Sequence, residues 1–210
     1  MHLSFDGVVS NTGLQASGWL LTGSPYTTAG IFEGIAYDQR MAIVGWRLPG
    51  YTPAAPLWHP VAEFNASGLG PPSSALHPPI RKTEAFPASV IARSGGTQWL
   101  LDFGQNAAAM LNVTIAPAAT PAGNQWLATT ASADTPCSYR FAFSELVNGT
   151  VLGPKLGVGD VVFTATAGWL AKNTVRFAPD FSYGGFRYSE LTFSCGGNTG
   201  DVAAAEQVRS

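Results

Sequence analysis

Apolar and polar residues alternate over short runs through the second half of the chain. Leu111, Val113 and Ile115 fall on one side of an extended segment, and Asn112 and Thr114 on the other. Tyr139, Phe141 and Phe143 repeat the pattern against Ser138, Arg140 and Ser144, and Val161/Phe163, Val175/Phe177 and Leu191/Phe193 continue it. A period of two sends successive side chains to opposite faces of a strand, so each run predicts a strand with one buried face. No segment holds a sustained 3.6-residue apolar period, the mark of an amphipathic helix. Strands at short spacing with Gly and Pro turns predict an all-β chain of antiparallel sandwiches.

The first half is less regular. Leu3 and Phe5 flank Ser4 in a half-buried strand that turns at Asp6-Gly7. Trp19-Leu20-Leu21 is a short apolar strand closed by Gly23-Ser24-Pro25. Residues 31–40 read as extended, and Met41-Ala-Ile-Val-Gly-Trp46 as a buried strand. Between Pro49 and Pro79 the prolines multiply. Proline removes the N–H that strand pairing needs, so this passage predicts a join between two sandwich domains. The boundary falls near Leu69 to His77, giving a first domain over 1–70, a second over 71–198, and a tail over 199–210. The Ala-rich, charged tail reads as a helical turn or a frayed end.

Trp99-Leu-Leu-Asp-Phe-Gly-Gln-Asn106 lies at the centre of the sequence. It reads as a strand that breaks at Asp102 into a glycine-permitted turn, Phe103 to Asn106, before a second strand from Met110 to Ile115. Glycine supplies backbone angles that other residues resist, which suits a rigid corner.

Composition narrows the function classes. At 210 residues the chain can bury a substantial core, as one large or two small domains. Charged residues make up 11%, well below the ~25% usual for soluble domains. A net charge of −2 argues against nucleic acid, because phosphate binding needs a basic patch. No apolar run approaches the ~18 residues that span a bilayer. Met1-His-Leu-Ser-Phe5 opens directly into a strand without the basic then apolar segment of a signal peptide.

Most chemistries fail on inventory. His2, His59 and His77 have no metal-ligand spacing with one another or with the cysteines. No cofactor is predicted, and calcium stays open without a ligand cluster to hold it. Gly153-Pro-Lys155 and Gly157-Val-Gly159 fall short of a phosphate loop. There is no Gly-x-Ser-x-Gly elbow. Glycoside hydrolysis with inversion needs two carboxyl groups roughly 6.5–9.5 Å apart, whereas the 13 acids here are scattered singly. Tyr37, Arg40, Trp46 and Trp58 offer stacking faces and a hydrogen-bonding fork for sugar; the alternative places both tryptophans in the core. Cys137 and Cys195 share phase with inward-facing residues, so they form a disulfide if their strands are neighbours, or are two buried thiols. Glycosylation sequons begin at Asn65, Asn112 and Asn148; Asn112 sits on a polar phase and Asn148 in a turn, and together they lean towards export.

The central octet resembles the D-F-G-Q-N motif in the β-sandwich domains of bacterial-type α-L-rhamnosidases. Further segments resemble that family in the same order. Pro79-Ile-Arg-Lys-Thr-Glu84 is similar to its P-I-R-x-T-E entry, and Ser144-Glu145-Leu146 with Asn148-Gly149-Thr150 to its A-E-x-L…x-x-G step. Phe177-Ala-Pro-Asp-Phe-Ser-Tyr-Gly-Gly-Phe-Arg-Tyr188 is similar to its F-x-x-x-F-x-Y-H-G-F-R-Y closing strand. Gly34, Tyr37-Asp38, Arg40, Gly45-Trp46, Pro49-Gly50 and Trp58 resemble the second half of the preceding carbohydrate-binding-like domain. The chain departs from the pattern where Ile35 replaces an acid, where Tyr51 to Leu57 replaces an acidic turn, and where Gly184 replaces a histidine.

The resemblance implies two jelly-roll-like sandwiches, the first incomplete, and the second concanavalin-like. It implies a parent enzyme, extracellular or periplasmic, that hydrolyses terminal α-L-rhamnosyl bonds with acids from a C-terminal (α/α)₆ barrel. These 210 residues lack that barrel, so no hydrolysis is expected from them. Their role would be to support the catalytic domain or to hold rhamnosylated glycan, with Tyr37, Asp38, Arg40 and Trp46 as the candidate sugar site. Asp102, Gly104, Gln105, Asn106, Glu145 and Arg187 would form a structural motif or a domain interface. On the residues alone, Asp38, Asp102 and Glu145 read as local acceptors of backbone N–H groups. Arg187 would pair with an acid of this chain or with the missing barrel. A free-standing rhamnose-binding lectin and a truncated structural remnant stay open as alternatives.

Overall fold

The computed structural model describes residues 2–5, 8–11, 19–30, 32–61, 78, 81–94, 97–117, 132–155, 157, 159–179, 183–196 and 208–209. The boundary expected near Leu69 to His77, the Asn65 sequon, Pro79-Ile80, and most of the tail lie outside them. Nearly all regular structure is β. The chain divides into two compact units: 1–24 with 43–82, and 25–42 with 83–210.

In the smaller unit, β1 (His2–Phe5) and β2 (Val8–Asn11) form an antiparallel hairpin. Phe5 pairs with Val8, and the expected turn residues Asp6-Gly7 lie outside the described residues. β3 (Leu20–Leu21) pairs with β6 (His59–Pro60). Successive turns precede β6 from residue 44, closed by Leu48 N–H to the Gly45 carbonyl at 2.8 Å and Tyr51 N–H to the Leu48 carbonyl at 3.2 Å.

The larger unit holds a sandwich. Its main sheet has seven strands in the order β4-β5-β13-β10-β15-β8-β7. These are β4 (Tyr26–Gly30), β5 (Gly34–Asp38), β7 (Ser89–Ser94), β8 (Gln98–Ala109), β10 (Pro136–Ser144), β13 (Val161–Thr166) and β15 (Gly184–Cys195). A three-stranded sheet of β9 (Val113–Ile115), β14 (Val175–Phe177) and β16 (Val208–Arg209) faces the same core. The period-two residues point where predicted: Phe141, Leu191, Phe193, Val113 and Val175 are all at most 2% exposed. Phe163 of one sheet meets Phe177 of the other at 5.5 Å between ring centroids. A short helix α1 (Ala167–Leu170) follows β13, with the Thr166 hydroxyl accepting the Trp169 N–H at 3.2 Å as its cap. A hairpin of β11 (Val147–Asn148) and β12 (Val151–Leu152) projects after β10. Among the described residues, the Ser189 hydroxyl is buried on the core side without a hydrogen-bond partner.

Cys137 and Cys195 lie directly opposite each other on the neighbouring strands β10 and β15 and form a disulfide, deciding between the two sequence alternatives. Four expectations are corrected. Met41–Trp46 is no buried strand: a 3-10 turn at Gln39–Met41 leads into turns, and Met41, Val44 and Trp46 are 46%, 88% and 55% exposed. The run is apolar but does not alternate, and Asp38 caps the 3-10 turn through the Arg40 N–H. Residues 25–42, which a division at 70/71 assigns to the first domain, belong to the larger unit, because β5 hydrogen-bonds to β13. That pairing is parallel, so the sheet is mixed rather than antiparallel throughout. Within the expected tail, Val208–Arg209 is neither helical nor frayed but adds a strand to β9.

Candidate functional site

The D-F-G-Q-N segment is a bulge inside one long strand. β8 pairs with β15 on both sides of it, Leu101 with Ser189 and Asp102 with Tyr188 before it, Ala107 with Phe186 after it. Phe103, Gly104, Gln105 and Asn106 therefore stand opposite the single residue Arg187. The chain does not turn back, as the sequence reading expects; it loops out and resumes alongside the same neighbour. Bulges of this kind re-aim side chains at a sheet position without ending the pairing.

Three bonds to one carboxylate hold the loop. Asp102 accepts the Gly104 N–H at 2.7 Å, which closes a tight turn over Phe103. It also accepts two bonds at 2.9 Å from Arg187, one from Nε and one from the terminal nitrogen. Gly104 has φ +77°, the left-handed region that side chains disfavour. Among the described residues no neighbour lies within 4 Å of where its Cβ would be, so conformation rather than space calls for glycine. On the inner side, Phe103 packs edge-on to Phe186 at 5.5 Å, and Phe186 meets Phe143 at 4.6 Å. On the outer side, Gly104, Gln105 and Asn106 are exposed. The guanidinium of Arg187 also lies 5.0 Å from the centre of the Tyr188 ring. Of the two partners open to Arg187, the structure supplies the acid of the same chain.

Hydrogen bonding from Arg187 holds the Asp102 carboxyl below its ordinary range, helped by the Gly104 N–H and against some desolvation. Asp38 behaves alike. Its carboxylate accepts the Arg40 N–H at 3.0 Å and a fork from the Arg40 side chain, the shortest bond 2.6 Å, and Arg40 lowers its pKa. A carboxylate fixed in its ionised form by a guanidinium is a poor proton donor near neutral pH. Both acids serve as local acceptors, as their residue types suggest. Glu145 reaches the same strand β15 two positions before Arg187, with Oε1 at 3.0 Å from the position a Cβ on Gly185 would take.

The candidate sugar residues are divided between the units, Tyr37, Asp38 and Arg40 in the larger and Trp46 in the smaller. Tyr37 is packed into the core, with Tyr26, Phe163 and Phe177 at 5.0, 5.7 and 5.5 Å between ring centroids. Asp38 and Arg40 bond to each other. Trp46 belongs to the smaller unit and is 55% exposed, with the Arg47 guanidinium 5.6 Å from its ring centre. Trp58 of that unit is half-buried and donates from Nε1 to the Tyr51 hydroxyl at 3.0 Å. Ile35, where the resemblance expects an acid, is 1% exposed in the core. Among the described residues, no three His, Cys, Asp or Glu side chains gather to hold a metal ion. No described helix is long and apolar enough to cross a membrane.

Sequence reasoning missed a second constellation. Gly34 (φ +85°) and Gly159 touch backbone to backbone: a Cβ on Gly34 would lie 2.0 Å from the Asp160 carbonyl oxygen, and one on Gly159 2.1 Å from the Gly34 nitrogen. The Ile35 N–H donates to that Asp160 carbonyl at 2.9 Å, starting the parallel pairing. The Asp160 side chain accepts from Arg140 Nε at 2.8 Å and from Lys155 at 2.5 Å. The available signal was Arg140 on the polar phase of its strand and the Gly157-x-Gly159 pair beside an acid.

Neither a protein-family model nor a curated protein sequence matches the chain. Three solved structures share its fold. An α-L-rhamnosidase from Dictyoglumus thermophilum superposes with a TM-score of 0.65 at 22% identity, over 90% of this chain and 19% of its own. One from Aspergillus terreus gives 0.59 at 22% identity, over 89% and 18%. One from Streptomyces avermitilis, complexed with L-rhamnose, gives 0.57 at 20% identity, over 80% and 15%. The chain thus spans less than a fifth of the length of these structures and has the fold of a part of them.

Proposed function

We propose that this chain is the non-catalytic β-sandwich portion of an α-L-rhamnosidase, a glycoside hydrolase acting on terminal α-L-rhamnosyl linkages. The observation that carries the reading is the superposition of 80–90% of the chain on a small part of such enzymes. The D-F-G-Q-N bulge supports it, since those residues form one stapled feature rather than a chance string. In this reading the larger unit is the concanavalin-like accessory sandwich and the smaller unit a partial carbohydrate-binding-like domain. The exposed amides of Gln105 and Asn106 face a C-terminal (α/α)₆ catalytic domain, with Asp102, Gly104 and Arg187 fixing the bulge that presents them. Rhamnosylated glycan is held against the exposed face of Trp46, which raises substrate concentration near the catalytic domain without chemistry of its own. The parent enzyme works outside the cell or in the periplasm.

Calorimetric titration of the 210-residue protein with L-rhamnose, with and without calcium, tests the binding part. An aryl α-L-rhamnoside assay on the same sample tests the catalytic part. Heat of binding that disappears in Trp46→Ala, with no turnover, is the expected result. Turnover would overturn the assignment of catalysis to residues outside this chain. Absence of binding would leave the supporting role and remove the sugar-holding one.

A further inference from the structure

We infer that Asn148 is an acceptor for an N-linked glycan, and that the glycan covers an apolar surface on its own hairpin. Asn148-Gly149-Thr150 fits the acceptor triplet, and the structure places it at the tip of the β11–β12 hairpin. Gly149 has φ +60° at the first position of the connecting turn, and Asn148, Gly149 and Thr150 are all exposed. Apolar side chains are exposed at and beside the hairpin. Val151, directly across from Asn148 in the ladder, is 63% exposed, and Leu146, two residues before it, is 58% exposed. Cross-strand partners share a face, so a glycan on Asn148 starts beside Val151. The apolar ring face of its first sugars then has a side chain to rest on.

The buried Cys137–Cys195 disulfide is an independent observation pointing the same way. Disulfides persist in oxidising compartments, and the secretory route is where N-glycans are added. In the transfer, the Asn148 side-chain nitrogen attacks the anomeric carbon of a polyprenyl-diphosphate-linked oligosaccharide. The new bond is C–N, the broken bond is the anomeric C–O, the diphosphate leaves with the electron pair, and the amide proton passes to a base on the transferase. This proposal does not depend on the sugar-binding reading above.

The test is secretion of the chain from a eukaryotic host, followed by peptide:N-glycosidase treatment in heavy-oxygen water and peptide mapping. Label at Asn148 is expected. Asn148→Gln and Thr150→Ala should remove it, while Thr150→Ser, which keeps the hydroxyl, should retain it. Secreted protein with Asn148 unlabelled would overturn the assignment. Deglycosylated wild type should bind more of an apolar-surface dye than the glycosylated form, and Val151→Ser with Leu146→Ser should abolish that gain. Equal dye binding before and after deglycosylation would overturn the shielding role.

Discussion

Phe141, Leu191 and Phe193 of the larger unit are at most 1% exposed, whereas Val44, Trp46 and Leu57 of the smaller one are 88%, 55% and 61% exposed. None of the described residues of the smaller unit outside its first hairpin is buried. Both regions are rich in apolar residues; what separates them is order along the chain. In the larger unit apolar residues recur at every second position, so one face of each strand can join one core. In residues 43–61 they occur between prolines and glycines that impose turns, and the paired strand described there is only the dipeptide His59–Pro60. Hydrophobicity supplies the driving force, but periodicity decides whether a segment can use it.

The largest expected effect lies in the alternating core. Phe141→Ala should cost about 3–5 kcal/mol in urea unfolding, the range for truncating a buried aromatic; a loss below ~1 kcal/mol would mean the sandwich core is not the stabilising body. Gly34→Ala comes next, at roughly 3 kcal/mol, because it forces a Cβ into the Asp160 backbone at a positive φ. Unchanged stability there would show that the parallel β5–β13 pairing contributes little.

Asp102→Asn should cost about 1 kcal/mol, since the pair is partly solvated and Arg187 loses a charged acceptor. The same variant tests pH dependence. The folded Asp102 pKa is depressed, so its stabilisation is full above the unfolded value of ~3.9 and disappears as pH falls through the lower folded value. Wild type should therefore lose stability on acidification below about pH 4 more steeply than Asp102→Asn, and parallel curves would contradict the staple. Trp46→Ala should change stability by less than ~0.5 kcal/mol, as exposed positions usually do. A multi-kcal loss there would dissolve the contrast between the two units.

Legibility in the sequence follows the same division. Leu111, Val113 and Ile115, and the Val175/Phe177 and Leu191/Phe193 pairs, were readable as core because alternation is a local signal. The strand at Leu3 to Phe5 was readable for the same reason. The parallel pairing of Gly34–Asp38 was not, since its partner β13 lies far along the chain and a backbone approach at Gly34 and Gly159 accompanies it. At the central octet the residues named a rigid glycine feature, but the choice between a turn and a bulge rests on Phe186 resuming the ladder with Ala107. Tyr37 illustrates the limit for the site: an aromatic beside an Asp and an Arg has the composition of a sugar platform, and its ring is spent on Phe163 and Phe177 instead.

Residues 25–42 lie in the larger unit while the segments on either side of them lie in the smaller one. The two bodies therefore cannot be parted by one cut of the gene or one nick by a protease. A break after residue 82 would strip the larger sheet of its edge strand β4 and the adjoining β5, and take the fully buried Ile35 with them. A recombination event that moved either body alone would need to excise and rejoin the chain at several points. The two bodies are thus inherited as one unit of shuffling.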